Sequence, residues 1–407
     1  MDFILFLIII YSICKLTLDI YQIKFISSAY VSDDEMNKLG INKEFVNKSN
    51  CYNIEKLKIS IASTVISISV IYFILFLNGL NVLNYYSSII TNNLLDKESL
   101  IIILFYFTIM LINLPISFYK TFVVEEKFGF NKTSKKLFMK DFMISTILSL
   151  IIIMLLFKSF EYLYYMSANF WWFYVWLLFI FTNLVIAYIF PTIISPIFNK
   201  FKKLDDGKLT DCINELTAKT DFPIKDLYVM DGSKRSSHSN AYFTGIFGKK
   251  RIVFFDTLLN ILDKNEIKSV LAHEIGHYKE KHILKSTLLF SLLSLIFLFL
   301  FYNFLLIIFT NAITVYPISP SSITIIFILI SPILSFFLMP LLSSYSRKNE
   351  FEADNYAKLF TDSKDLISSL LKLYKGNLSL IKSSKLYSIF YYSHPSVFDR
   401  INNLETK

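Results

Sequence analysis

The chain has 407 residues, 54% of them hydrophobic and only 18% charged, against ~45–50% and ~25% in an average soluble domain, so a soluble globular protein and a highly charged disordered chain are both excluded. The nine glycines form no phosphate-cradling loop, and Cys14, Cys51 and Cys212 form no CxxC pair or disulfide framework. The net charge of +9 has to be weighed against where the lysines fall before nucleic acid is considered.

In chain order, seven apolar stretches approach the ~20 residues that a helix needs to cross a bilayer. They cover residues 3–21, 59–80, 100–118, 142–157, 170–191, 284–309 and 323–342. The first carries Lys15 and Asp19. A charge at a helix centre costs ~2.5–3.5 kcal/mol on insertion scales, but both residues lie toward one end, where snorkelling relieves the cost. No Lys or Arg precedes this run and no small-residue cleavage site follows it, so a retained span is expected rather than a signal peptide. Residues 170–176, FWWFYVW, hold all three tryptophans and read as an interfacial aromatic belt. Pro115, Pro332 and Pro340 fall inside spans and are expected to kink them.

The loops alternate in charge. Lys24, Lys38, Lys43, Lys48, Lys56 and Lys58 lie between the first two spans, whereas the next loop has only Lys97. The third loop has Lys120, Lys127, Lys132, Lys135, Lys136 and Lys140, the fourth only Lys158, and the loop before the seventh span has no Lys or Arg. The positive-inside rule puts the basic loops and the tail in the cytosol and the N-terminus in the lumen. Topology thus accounts for the basic excess, and no nucleic-acid partner is expected. The expected organisation is a membrane region of five spans over residues 1–198, a cytosolic segment over 199–282, spans six and seven over 283–345, and a cytosolic tail over 346–407. Within the second segment, 208–219 reads as an amphipathic helix, and 227–230 and 252–255 as short strands flanking the Ser-rich turn at 231–240.

The sharpest motif is His273-Glu274-Ile275-Gly276-His277. On a helix, residues four apart share a face, so two imidazoles can meet one Zn²⁺ at ~2.0–2.1 Å. The intervening Glu274 then lies beside the metal, placed to take a proton from its water. Zinc needs a third protein ligand. His282 follows five residues after His277, well round a continuous helix, and is discounted. Glu350 and Asp354, just after the seventh span, share a face. One can bind the metal while the other accepts the second N–H of a ligand histidine; Glu352 points elsewhere. His394 precedes Pro395 and is either a turn residue or a hydrogen-bond donor to the oxyanion of a tetrahedral intermediate.

These residues resemble the type I CAAX prenyl proteases, integral-membrane zinc endopeptidases. Beyond H-E-x-x-H, the resemblance lies in residues 121–133, TFVVEEKFGFNKT, residues 196–207, PIFNKFKKLDDG, and residues 231–259, DGSKRSSHSNAYFTGIFGKKRIVFFDTLL. Residues 347–357 and 393–401 complete it. It implies a mainly α, polytopic membrane protein with seven transmembrane helices around a large internal chamber and a small α+β zincin-like cytosolic portion. It also implies one Zn²⁺ per chain on His273, His277 and Glu350, Glu274 as general base, and Asp354 touching a ligand rather than the metal. His394 and Arg400 match the family's C-terminal active-site residues, and Asn240, Ala241 and Tyr242 an edge-strand segment that pairs with substrate. The implied reaction removes three residues from the C-terminus of prenylated (farnesyl or geranylgeranyl) CaaX proteins, by a monomer in the endoplasmic reticulum or inner nuclear membrane.

The loop charges generate a topology test. A cysteine introduced near Asn92 is expected to react with an impermeant thiol reagent from the luminal side, and one near Lys135 from the cytosolic side. Labelling of both from one side would break the seven-span arrangement.

Overall fold

The computed structural model describes residues 2–167, 169–244, 250–312 and 318–406. Parts of the 231–259 segment and of the loop before the seventh span therefore lie outside the described residues. Among those described, seven helices are long and apolar enough to cross a membrane, one at each expected stretch: Ile4–Ser28, Lys43–Phe76, Leu94–Glu125, Lys135–Met166, Trp171–Phe198, His282–Leu305 and Pro320–Lys358. The chain is a multi-pass membrane protein.

The N-terminal half is built from α1 (Asp2–Ser28), α2 (Asp33–Leu39), α3 (Lys43–Phe76), α4 (Gly79–Ile90), α5 (Leu94–Tyr119), α6 (Lys135–Met166), α7 (Trp171–Ile189) and α8 (Ser195–Phe198). Strand β1 (Phe201–Lys203), α9 (Gly207–Lys219), β2 (Ile224–Met230), β3 (Ala241–Thr244), β4 (Lys250–Phe255), α10 (Asp256–Leu259) and α11 (Lys264–Lys279) follow. The remainder is α12 (His282–Ala312), α13 (Pro320–Lys358), α14 (Ser363–Gly376), α15 (Lys385–Tyr391) and α16 (Val397–Glu405). Several ends are fixed by side chains that satisfy the orphan N–H groups of a first turn. Ser32 and Glu35 form a capping box on α2, and Asp263 and Glu266 form one on α11.

Two apolar cores result. One lies among the membrane helices and includes Ile74, Leu80, Ile102, Phe157, Trp171, Phe301 and Ile326. Trp171 packs into this core, edge-on to Tyr302 and Phe160, while Phe170, Phe173 and Tyr174 of the same aromatic run stay exposed. The other joins α9, the sheet, α11, α14 and α16 through residues such as Ile213, Phe254, Leu271, Ile275 and Leu404. The sheet order is β1-β2-β4-β3, with β2 and β4 parallel and the outer pairs antiparallel. Strand β3 is therefore an edge. The 227–230 and 252–255 runs both appear, extended into β2 and β4. The short strands β1 and β3 depend on that pairing more than on their own composition.

The loop after α5 is tied to the segment that leads into β3. Asn131 bridges Ser236, the Lys132 N–H donates to the Arg235 carbonyl at 3.1 Å, and the Ser237 N–H donates to the Phe130 carbonyl at 3.2 Å. Arg235 forks onto Asp141 at 2.7 and 3.0 Å, and Phe130 stacks on His238 with ring centroids 4.0 Å apart. The first span differs from expectation. Helix α1 runs on to Ser28, so Lys15 and Asp19 sit within it and do not snorkel. Asp19 is fully buried; it accepts from Ser60 at 2.8 Å and from Lys15 at 3.4 Å, while Lys15 also donates to the Tyr391 hydroxyl at 3.0 Å.

Removing one member of such a pair leaves the other charge uncompensated, at a cost on the order of 3 kcal/mol. Asp19→Leu is expected to lower the thermal unfolding midpoint of the purified protein, and Lys15→Met combined with Asp19→Leu to recover part of the loss. A double variant as unstable as the sum of the singles would show that the two charges do not support each other.

Candidate metal centre

Helix α11 carries the histidine pair and α13 faces it. The start of α11 is held by Glu266, nearly fully buried, which accepts from Ser368 at 2.6 Å and Lys372 at 2.7 Å on α14. The two helices touch at Gly276. A Cβ built there would stand 3.0 Å from the Ala353 Cα and 3.1 Å from its carbonyl oxygen, so any larger residue would press the two backbones apart by a few tenths of an ångström. One turn of α13 before Ala353 is Glu350, and the next residue after it is Asp354. The approach therefore delivers both carboxylates to the histidines.

The structure brings His273, His277 and Glu350 together, with candidate ligand atoms all within 4.8 Å of one another. A tetrahedral ion with bonds of ~2.0–2.1 Å separates its ligand atoms by roughly 3.3 Å. The Nε2 atoms of His273 and His277 lie 3.2 Å apart. Glu350 Oε2 is 3.5 Å from His273 Nε2, and Oε1 is 3.4 Å from His277 Nε2. Glu350 is buried, and its Oε2 has no hydrogen-bond partner. A buried acceptor without a hydrogen bond, beside two ring nitrogens, fits a divalent metal better than it fits a purely structural role.

The surroundings fix which atoms face the ion. Asp354 is fully buried and its Oδ1 lies 2.8 Å from His273 Nδ1. A carboxylate accepts, so the Nδ1–H donates and Nε2 is the atom turned toward the site. Arg400 forks onto the same Asp354, with Nε donating to Oδ2 at 2.8 Å, and its Nη1 lies 3.5 Å from Glu350. Burial pushes the His273 imidazole down, but the hydrogen bond to Asp354 and the nearby Glu350 carboxylate outweigh it and raise the pKa to about 9. In the metal-free protein this ring therefore holds a proton at neutral pH, which a metal would displace.

Of the other expected residues, Glu274 lies half-buried on the turn between the two histidines. His394 Nε2 approaches Glu350 Oε1 at 3.4 Å, and its Nδ1 lies 2.9 Å from Ser393 Oγ. Solvent reaches this ring, yet the surrounding protein desolvates it and holds its pKa below the ordinary value. Asn240, Ala241 and Tyr242 lie at the start of the edge strand β3. Ala241 and Phe243 pack on the same core as Ala272 and Ile275 of α11.

Sequence reasoning missed the reach of His282. It assumed one continuous helix, but α11 ends at Lys279, Lys281 adopts a left-handed φ of 56°, and α12 starts at His282. The break folds His282 back against His277. Glu352, turned away from the three ligand atoms, meets His282 instead. The charged triplet Lys279-Glu280-Lys281, just before an apolar run, was the available signal for this break.

Comparison with known proteins places this geometry. Residues 203–407 match peptidase family M48, and residues 22–200 match the CAAX prenyl protease N-terminal family of five membrane helices. The chain is 39% identical to CAAX prenyl protease 1 of Saccharomyces cerevisiae, over 72% of this chain and 69% of that one.

The chain belongs to the M48 metallopeptidases, among the CAAX prenyl proteases.

It is also 38% identical to the CAAX prenyl protease 1 homolog of Dictyostelium discoideum, over 72% of this chain and 70% of the relative. The crystal structure of S. mikatae Ste24p superposes with a TM-score of 0.89 at 30% identity, covering 98% of both chains. Membership in this family agrees with a metal held at the α11–α13 contact.

That contact yields a test. Overpacking a tight interface costs ~1–3 kcal/mol, so Gly276→Ala is expected to spread α11 from α13 and lower metal retention under graded chelator. Parental retention would show that the approach at Gly276 does not set the ligand geometry.

Proposed function

We propose that this chain is a zinc endopeptidase that removes the C-terminal tripeptide from prenylated CaaX proteins. The observation that carries the reading is the convergence of His273 Nε2, His277 Nε2 and a buried Glu350 carboxylate, one oxygen of which has no hydrogen bond, at separations suited to a tetrahedral ion. Two nitrogens and one carboxylate are the ligand set of catalytic zinc sites, which leave the fourth position open. When bound, Zn²⁺ supplies Lewis acidity that polarises a carbonyl and makes water acidic near neutral pH.

The remaining work falls to the chain's own groups. The Glu274 carboxylate, on the turn between the ligand histidines, takes the proton of the attacking water and returns it to the leaving amine. With Ser393 Oγ as donor to His394 Nδ1, the His394 Nε2–H faces the site beside Glu350 and can donate to the oxyanion as charge develops. Asp354 orients His273, and Arg400 balances the two buried carboxylates. The exposed edge of β3 offers backbone N–H and C=O groups to an extended peptide, with Asn240, Ala241 and Tyr242 at its start. The prenylated substrate class comes from the relatives' names and from the long sequence resemblance. The endoplasmic reticulum membrane, with the catalytic segments on the cytosolic side, follows from that resemblance and from the loop lysines.

Glu274→Gln keeps the shape of the side chain and removes its basicity. The variant is expected to hold zinc at parental stoichiometry and to cleave a farnesylated C-terminal peptide at least ~10²-fold more slowly. The unprenylated twin of that peptide is expected to be a poor substrate for the parent. Substantial turnover by Glu274→Gln above a metal-free blank would remove Glu274 from the mechanism; equal cleavage of both peptides would remove the prenyl group from recognition.

A further inference from the structure

The two histidines of the pair are not oriented in the same way. His273 meets a carboxylate through its Nδ1, but the Nδ1 of His277 does not. Its Nδ1 lies 3.0 Å from His282 Nδ1, and His282 Nε2 lies 2.8 Å from Glu352 Oε2. His282 is almost fully buried, and Glu352 has Lys348 at 3.7 Å on its other oxygen. The geometry points to His282 and Glu352 as a positioning relay that sets the tautomer of His277 and holds its Nε2 lone pair toward the metal. This inference rests on the zinc-site reading given above.

For neutral imidazoles the relay follows from the donor inventory. An ionised Glu352 only accepts, so His282 Nε2 must carry the proton and donate. A neutral imidazole has one N–H, so His282 Nδ1 is left as an acceptor. His277 Nδ1 must then donate to it, which leaves His277 Nε2 without a proton, 3.2 Å from His273 Nε2. With Glu352 ionised and both rings neutral, each step has one solution. The left-handed Lys281 makes the contact possible, because it ends α11 and turns the first residue of α12 back onto the last turn. A non-glycine residue in that conformation costs roughly 1–2 kcal/mol, a cost that the buried contact offsets. Glu352 and Asp354 thus lie two residues apart on α13, each ending the hydrogen-bond chain of one ligand histidine.

The test uses the full-length protein in detergent, stripped of metal and titrated with Zn²⁺ against a competing chelator. Loss of a partner that orients a ligand histidine typically weakens metal binding ~10–100-fold, and His282→Ala is expected to fall in that range. His282→Gln is expected to recover most of the loss, because the amide oxygen accepts from His277 while the amide N–H donates to Glu352. Glu352→Gln is expected to weaken zinc as well, since its amide can donate to His282 and reverse the chain. His282→Gln as weak as His282→Ala would overturn the relay in favour of simple packing. Parental affinity in both His282→Ala and Glu352→Gln would overturn it outright. If His282→Ala fails to fold, the contrast between His282→Gln and Glu352→Gln still decides. A parent protein that binds no zinc would overturn the site reading itself, an outcome distinct from failure of the relay.

Discussion

The approach of α11 to α13 at Gly276 is the constraint from which the site follows. Two helices with side chains at their contact ordinarily lie 8–10 Å apart. Here the contact atoms on one side are backbone, since a Cβ at 276 would press on Ala353 itself. Ala353 and Ala272 are both fully buried, so small residues line the seam. Histidine side chains can then reach carboxylates on the facing helix without spanning a wide gap. The membrane supports this arrangement from outside: α13 is one helix from Pro320 to Lys358, carrying the site's carboxylates on the end of a span.

The electrostatics of the seam are costly and largely compensated. Glu350, Asp354, His273 and Arg400 are all buried. Buried charges are tolerated when paired and hydrogen-bonded, and each isolated one carries a heavy desolvation penalty. Asp354 meets that condition through both a forked arginine and a histidine N–H. Glu350 meets it only in part, because one oxygen is left without a hydrogen bond. The unbalanced acceptor lies where the ring nitrogens converge, which is where a cation would relieve it.

How much of this was legible in sequence depended on how local each feature is. The spans could be read because hydropathy over some twenty residues is a property of the segment itself. H-E-x-x-H could be read because helix spacing alone places both rings on one face. The choice between Glu350 and Asp354 as ligand was open until the facing helix was in place, since their shared face says nothing of which imidazole atom each meets. His282 stays outside the ligand group as expected, but its contact with His277 was missed because helical extrapolation ran through the left-handed Lys281. Lys15 and Asp19 were read as reaching for the interface, whereas partners on α3 and α15, distant in sequence, hold them inside.

These long-range partners also explain how His394 comes to face Glu350. It lies in a short connection between α15 and α16, which by itself would be mobile. Three contacts restrain the segment. Arg347, one turn before Glu350 on α13, donates to the Ser388 and Tyr392 carbonyls at 3.1 and 2.8 Å, satisfying the end of α15. Lys15 of the first span holds Tyr391, and Phe390 stacks on Phe336 of α13 with centroids 5.0 Å apart. On the other side, Arg400 of α16 is locked to Asp354. The loop is thus pinned at both ends to the helix that bears Glu350. The buried charges of the first span, costly in lipid, contribute to placing a residue of the tail, and so the membrane helices and the metal centre are parts of one cooperative packing problem rather than an anchor with a catalytic unit attached.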